Sequence, residues 1–342
     1  MKAALKDIAA EAGVSEMSVS RALRNRPGLS ADTRARILAV AERLSYRPDP
    51  RVSQLMTHLR EAREKKTSET LGFIWSDGDQ HSVQRNSYHR ELRQGAAARA
   101  LELGFRLDEF WMQEKGMTGK RLSRILHSRG IQAVIFTPIV QRVHGRASLE
   151  WDRFTAVAIG LGLWQPRLHR VHHHHYQSML LALRELRRLG YQRIGFAIDT
   201  MLNERMNQTW RAAFLANHPL PVAEAAKLLW VHDKATKAAQ QSWLDRARPE
   251  VVLSAMASPD LLPGPLPEGM PFTSLNCSRD MPDVLGVDQC TAALGVAAVE
   301  TVAAQYWRNE RGVPPEPRLV LVEGKWRSGY TPRKPRGRGV EA

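Results

Sequence analysis

At 342 residues the chain is too long for one ordinary compact domain, and with 43% hydrophobic and 25% charged residues it can build roughly two or three folded units, each with its own core. No apolar run is long enough for a membrane helix, the opening MKAALKDIAAEAG lacks a secretory apolar region, and two cysteines, Cys277 and Cys290, exclude a disulfide framework. A total of 50 Lys and Arg against 35 Asp and Glu gives a formal charge of +15, which favours a polyanionic partner and by itself fits DNA, RNA or anionic lipid equally.

Start and stop signals mark three helices before Pro48. Leu5, Ile8, Ala9 and Ala12 have the spacing of one buried helix face, and Gly13 is suited to end that helix. Ser15 is an N-cap for a second helix with Val19, Ala22 and Leu23 facing inward and Glu16, Met17, Ser18 and Arg21 facing out. Ser30 caps a third helix running through Thr33, Ile37, Val40, Ala41 and Leu44. Two short helices joined by AGVS, the second with a polar outer face, predict a helix-turn-helix, which lays its second helix in the major groove of DNA.

The segments LKDIAAEAGVSEMSVSRAL and LSADTRARILAVAERLSYRP resemble the N-terminal headpiece of LacI-type bacterial transcription regulators. The resemblance implies that Glu16 and Met17 select bases, that Arg21 reads bases, and that Ser18, Ser20, Ser30 and Thr33 meet phosphates, with Leu5, Ser15, Arg24, Asn25 and Tyr46 completing the DNA-contacting set. Arg24, Asn25 and Arg26 stand where the family commonly has a single Asn, and the added cations strengthen sequence-independent phosphate binding. For Glu16 two readings stay open: acceptance of a hydrogen bond from a cytosine amino group, or stabilisation of the helix N-terminus. Leu55 falls on the family's hinge-helix leucine, a minor-groove wedge, with packing against a neighbouring helix as its alternative. A lengthened, charged stretch separates it from the next strand.

From Leu71 onward, short apolar runs alternate with amphipathic helices, the pattern of parallel sheets covered by helices. Strands are predicted at Leu71, Phe105, Ala133, Ala156, Arg193, Leu228, Val251 and Phe272, and a helix from Tyr176 to Leu189. ELRQGAAARALELGFRL, RELRRLGYQRIGF and GVDQCTAALG resemble the two-lobed, periplasmic-binding-protein-like core of LacI regulators, with crossings between lobes near Gly190, Asp288 and Leu319. In such a core the effector site lies between the lobes, outside the carboxyl ends of the strands.

Here the chain departs from the family it resembles. His174 and His175 replace an Asp-Asn pair, Arg205 in NERMNQTW is shifted from the register of paired arginines, and AMASPD replaces an Asn-Asp motif; Asn276 and Gln289 survive as polar matches. His174, His175, Arg205, Asn276 and Gln289 are therefore the candidate effector contacts, and they favour an anionic or amide-bearing ligand over a neutral sugar. The run His172 to His175 invites a metal, but residues on one strand alternate faces and neighbours on a helix diverge, so at most two of them are expected to share an ion and no metal site is assigned. Gly160 to Gly162 is not a dinucleotide fingerprint and no P-loop, G-x-S-x-G or H-E-x-x-H occurs, so neither a cofactor nor an enzymatic activity is expected.

The expected architecture is an N-terminal all-α helix-turn-helix headpiece with a hinge helix, followed by an α/β two-lobed periplasmic-binding-protein-like core. Its expected limits are 1–47 for the DNA-binding domain, 48–69 for the hinge and linker, 70–331 for the effector-binding and dimerisation core and 332–342 for a basic tail. The resemblance implies a cytoplasmic, nucleoid-associated regulator that binds double-stranded operator DNA as a homodimer, with a tetramer also open, and responds to a small-molecule effector. An architectural DNA binder with a ligand-less core is the alternative.

Overall fold

The computed structural model describes residues 5–23, 27–44, 46, 69–141, 143–233, 236–277 and 283–328. Helices α1 (Leu5–Ala12), α2 (Glu16–Leu23) and α3 (Ala31–Arg43) form the headpiece, and Ile8, Ala9, Ala12, Val19, Ala22, Ile37, Val40 and Ala41 meet in its core. Gly13 takes φ +65°, a conformation that lets the Val14 amide reach back to the Ala9 carbonyl at 3.0 Å and closes α1. The turn into α2 is then fixed by Ser15, whose hydroxyl accepts the Ser18 amide at 3.2 Å. Ser30 caps α3 in the same way through the Thr33 amide at 3.2 Å. Both predicted caps are therefore in place, and an ion pair between Glu11 and Arg43 ties α1 to α3.

The rest of the described chain builds two sheets. The first lobe holds β1 (Glu69–Trp75), β2 (Phe105–Trp111), β3 (Ala133–Phe136), β5 (Thr155–Ile159), β7 (His169–His173) and β13 (Leu319–Val322), with a small pair β4 (Gly145–Arg146) and β6 (Leu163–Gln165) beside it. Its strand order is β13-β7-β5-β3-β1-β2, parallel throughout. The second lobe holds β8 (Ile194–Asp199), β9 (Leu229–His232), β10 (Val251–Ser254), β11 (Phe272–Ser274), β12 (Gly286–Asp288) and β14 (Lys325–Arg327), in the order β14-β12-β11-β10-β8-β9. Only β14 in that sheet runs antiparallel to its neighbour. β3, β5 and β10 are buried along their whole lengths, as strands covered by helices on both faces must be.

The covering helices are α4 (Gln80–Arg85), α5 (Ser87–Glu102), α6 (Gly119–Ser128), α7 (His175–Arg188), α8 (Thr200–Arg205), α9 (Thr209–Asn217), α10 (Val222–Leu228), α11 (Lys237–Ala247) and α12 (Thr291–Arg308). α5 and α12 cross closely on the first sheet. A Cβ on Gly95 would sit 2.0 Å from the Ala292 carbonyl oxygen, and one on Gly295 would sit 2.2 Å from that of Leu92, so only glycine admits this approach.

All eight predicted strands form, as does the helix beginning near Tyr176. Four strands of the sheets, β7, β12, β13 and β14, were not among those predicted. The crossings also need correction. The first lies at His173–His175, where β7 leads into α7, rather than near Gly190, because Met179, Leu183 and Leu186 pack that helix onto the second lobe. The second falls at Asp288–Thr291 as expected, and the third at Glu323–Gly324, just beyond the strand that Leu319 begins.

Candidate nucleic-acid interface and interlobe cleft

On α2 the buried positions Val19 and Ala22 point into the headpiece core, and this leaves Glu16, Met17 and Arg21 exposed on the opposite face, with Ser18 and Ser20 partly exposed beside them. Met17 is 66% exposed on this face, beside the exposed Glu16. Two helix N-termini carry hydroxyl pairs: Ser15 Oγ lies 3.0 Å from Ser18 Oγ, and Ser30 Oγ lies 2.8 Å from Thr33 Oγ1. Such ends offer amide and hydroxyl donors to anions, and phosphates above all. Leu5 and Tyr46 are partly buried and pack against the headpiece core. Glu16 sits in the first turn of α2, a position compatible with both of its readings. Arg24, Asn25 and Leu55 lie outside the described residues.

Between the lobes the carboxyl ends of the strands face a cavity of about 660 Å³. His175, Arg205, Asn276 and Gln289 line it, as expected for effector contacts. His174 does not; it caps α7, its Nδ1 accepting the Gln177 amide at 3.3 Å. Gln289 is itself anchored, donating from Nε2 to the Leu275 carbonyl at 2.9 Å. His172 and His173, singled out in the sequence as part of the histidine run, also line the cleft, as do Tyr88, His89 and Trp210, which escaped the sequence reading.

The histidine run folds unlike a single element. His172 and His173 end β7, His174 turns, and His175 opens α7, so three rings meet: His175 lies 4.5 Å from His172 and 4.9 Å from His173 between ring centroids, and 4.0 Å from Trp210. The strand-to-helix turn brings His175 back over His172 and His173, so the three rings gather although they are not arranged to share one ion. His173 Nε2 is 2.6 Å from Ser178 Oγ, while His172 Nε2, His173 Nδ1 and His175 Nδ1 are buried without a protein partner. Among the described residues no three His, Cys, Asp or Glu side chains are arranged to hold a metal ion.

Burial sets the charge of this wall. It pushes the imidazole of His172 down to about 4, that of His173 to about 3 and that of His175 well below its ordinary value, with neighbouring cationic groups acting in the same direction. His89 is likewise pushed down to about 4 by burial, against a smaller opposing pull from Asp77. The four rings are neutral near pH 7. Glu91 and Asp199 are the carboxylates that line the cleft; Asp199 caps α8 through the Leu202 amide at 3.1 Å, and Asp77, whose charge reaches His89 and Arg205, accepts with Oδ2 the amides of Val140 at 2.7 Å and Gln141 at 2.9 Å. Arg205 donates to the Val140 carbonyl across the cleft.

The model of bacterial regulatory proteins of the lacI family matches residues 4–49, the whole of the three-helix headpiece. In its headpiece the chain is thus similar to the lacI family. It is 28% identical over 207 residues to the HTH-type transcriptional regulator MalR of Streptomyces coelicolor, a match covering 58% of this chain and 54% of that protein. The chain thus spans about half the length of the curated relatives it matches. Over nearly its full length the fold is that of two solved structures. One is the transcriptional regulator CelR–cellobiose complex, with a TM-score of 0.53 at 20% identity, covering 96% of this chain and 100% of that one. The other is the lac repressor dimer bound to operator and the anti-inducer ONPF, with a TM-score of 0.50 at 16% identity, covering 96% and 98%. An α/β core of two sheets behind a three-helix headpiece that matches the lacI model is therefore the arrangement of the described residues.

Proposed function

We propose that this protein is a transcriptional regulator, acting as a repressor, that binds a pseudo-palindromic operator as a homodimer and whose grip on DNA is set by a small molecule in the interlobe cleft. The observation that carries the reading is the exposed face of α2 flanked by two serine-capped helix N-termini, within the segment that matches the lacI family. One short recognition helix reads too few base pairs for specificity, and a two-fold protein on two-fold DNA doubles the count. Met17 presents an apolar tip suited to a thymine methyl group, Arg21 a guanidinium suited to guanine, and Ser15, Ser18, Ser20, Ser30 and Thr33 hold the flanking phosphates. Leu55 wedges the operator centre and bends it. In keeping with this reading, 1–47 is the DNA-binding domain and 70–331 the sensing and dimerising core.

The cleft favours a sensor over a purely architectural protein: a cavity of this volume is the size of a small-molecule site and carries polar groups that only a guest or solvent can satisfy. CelR was solved with cellobiose, and the lac repressor with operator and ONPF. Footprinting of the full chain on selected DNA tests the proposal. Two symmetric protected half-sites are expected; full-affinity binding of a monomer to one asymmetric site, or a preference for RNA over duplex DNA, overturns it.

A further inference from the structure

The cleft wall is aromatic and nitrogen-rich. Besides the histidine cluster it presents Trp210 and Tyr88, with Ile139, Met201, Met206 and Leu261 supplying apolar surface. His173, His175 and Trp210 are each more than nine-tenths buried, and each keeps a ring nitrogen without a protein partner. A saccharide would have to exchange the water around every hydroxyl for protein acceptors and donors, and the rings, thioethers and alkyl groups that make up much of this wall provide few beside Arg205, Asn276 and Gln289. A flat ring suits the same wall well, through offset or edge-to-face contact with Trp210 and the neutral imidazoles.

Arg85 and Arg205 both line the cavity, Arg85 as an exposed side chain and Arg205 from deeper in the fold. Arg205 is only partly exposed and spends a donor on Val140, which leaves the rest of its five-donor guanidinium for a guest. Its charge is felt by the phenol of Tyr88, and burial pushes that phenol up to about 12, so the hydroxyl stays a donor at neutral pH. Asp77 and Asp199, whose charges Arg205 also feels, are engaged with backbone amides. A guanidinium beside a neutral phenolic donor is matched by a carboxylate.

We propose that the cleft takes an aromatic monocarboxylate, its carboxylate held by Arg205 and Tyr88 and its ring laid against Trp210 and the histidine wall. This rests on the regulator reading only for its consequence, since binding can be measured without DNA. Calorimetric titration of the full chain with benzoate, trans-cinnamate and indole-3-carboxylate should give binding. Benzamide and cinnamamide, which keep the ring and lose the charge, and cyclohexanecarboxylate, which keeps the charge and loses the ring, should each bind at least about tenfold more weakly. Arg205→Gln should lose at least about tenfold for the acids and little for the amides. Tyr88→Phe keeps the ring and should lose a few-fold for the acids alone, so the proposal stays testable if Arg205→Gln does not fold. Equal affinity for acid and amide overturns it, as does tighter binding of cellobiose or glucose, or no binding of any acid. Acid binding that leaves operator affinity unchanged would support the ligand class and defeat the regulator reading. Operator binding with no acid binding would do the opposite.

Discussion

Arg205, on α8 in the second lobe, donates from its guanidinium to the carbonyl of Val140 in the first, while Asp77 Oδ2 accepts the amides of Val140 and Gln141 from the other side. The segment at Val140 is thereby held at its amide edge by its own lobe and at its carbonyl edge by the opposite lobe. Relative motion of the lobes must break or keep that one contact, and a ligand at Arg205 competes for the same guanidinium. Arg205→Ala should speed hydrogen exchange of the Val140 and Gln141 amides by roughly tenfold, in proportion to a charge-assisted hydrogen bond worth about 1.5 kcal/mol. The amide of Val134, inside the sheet, serves as the internal control. Unchanged exchange at Val140 would mean that the lobes are held without this contact.

Base reading and anchoring separate on α2. Arg21→Ala should lose about 1–3 kcal/mol on the cognate operator and little on random duplex, whereas Arg24→Ala should weaken both alike. Gel-shift titrations on the two DNAs at fixed salt check this. Equal losses on both for Arg21→Ala would make it a phosphate clamp.

The crossing of α5 and α12 is limited by backbone. Gly295→Ala would place a Cβ 2.2 Å from the Leu92 carbonyl oxygen, a contact that no side-chain rotation relieves. Forcing helices apart in a packed core costs about 1–3 kcal/mol or more. The thermal midpoint of the Gly295→Ala core should therefore fall by several degrees, while Gly130→Ala, where no atom lies within 4 Å, tests only the strain of its φ of +70°. Equal shifts in the two variants would show that packing at Gly295 is not the limiting term.

The headpiece was legible because local signals suffice there: Ser15, Gly13 and Ser30 each act on neighbours within a few residues, and the core periodicity of Ile8, Val19 and Ile37 needs no long-range partner. The buried strands of the sheets were legible for a related reason, since Val251 to Leu253 or Ala133 to Phe136 are apolar throughout. β7 was not, because HRVHH shows one apolar residue, and the burial of His172 and His173 runs against what their polarity suggests. β13 reads LVLV but is an exposed edge strand with no predicted helix on either side, and β12 and β14 are three residues each. In the cleft, Asn276 and Gln289 were found by their matches to a family pattern, and His175 and Arg205 by standing at or near positions where that pattern is replaced. Tyr88, His89 and Trp210 come from α5 and α9, and nothing local in those helices marks which face meets the opposite lobe.

The buried histidines give the core an acid limit whose sign follows from their depressed pKa values. Each is neutral when folded, yet takes a proton near the ordinary value of 6.5 when unfolded. Between pH 6.5 and about 4 for His89 and His172, and down to about 3 for His173, the unfolded chain therefore binds more protons than the folded one. Their contribution is complete above 6.5 and falls as pH drops, by up to about 1.4 kcal/mol per pH unit for each group well inside its window. Burial dominates each shift, so the loss should persist at high salt, where surface ion pairs are screened. Carboxylates held low by partners, such as Glu224 and Glu310, add their own losses only at lower pH, which leaves pH 5 to 6.5 as the interval in which imidazoles act. Urea midpoints of the full chain across that interval should fall steeply, and His172→Gln, which keeps polar volume and cannot take up the proton, should make the slope shallower by about one group's share. A midpoint that stays flat from pH 7 to 5 would show that burial does not hold these rings neutral in the folded chain.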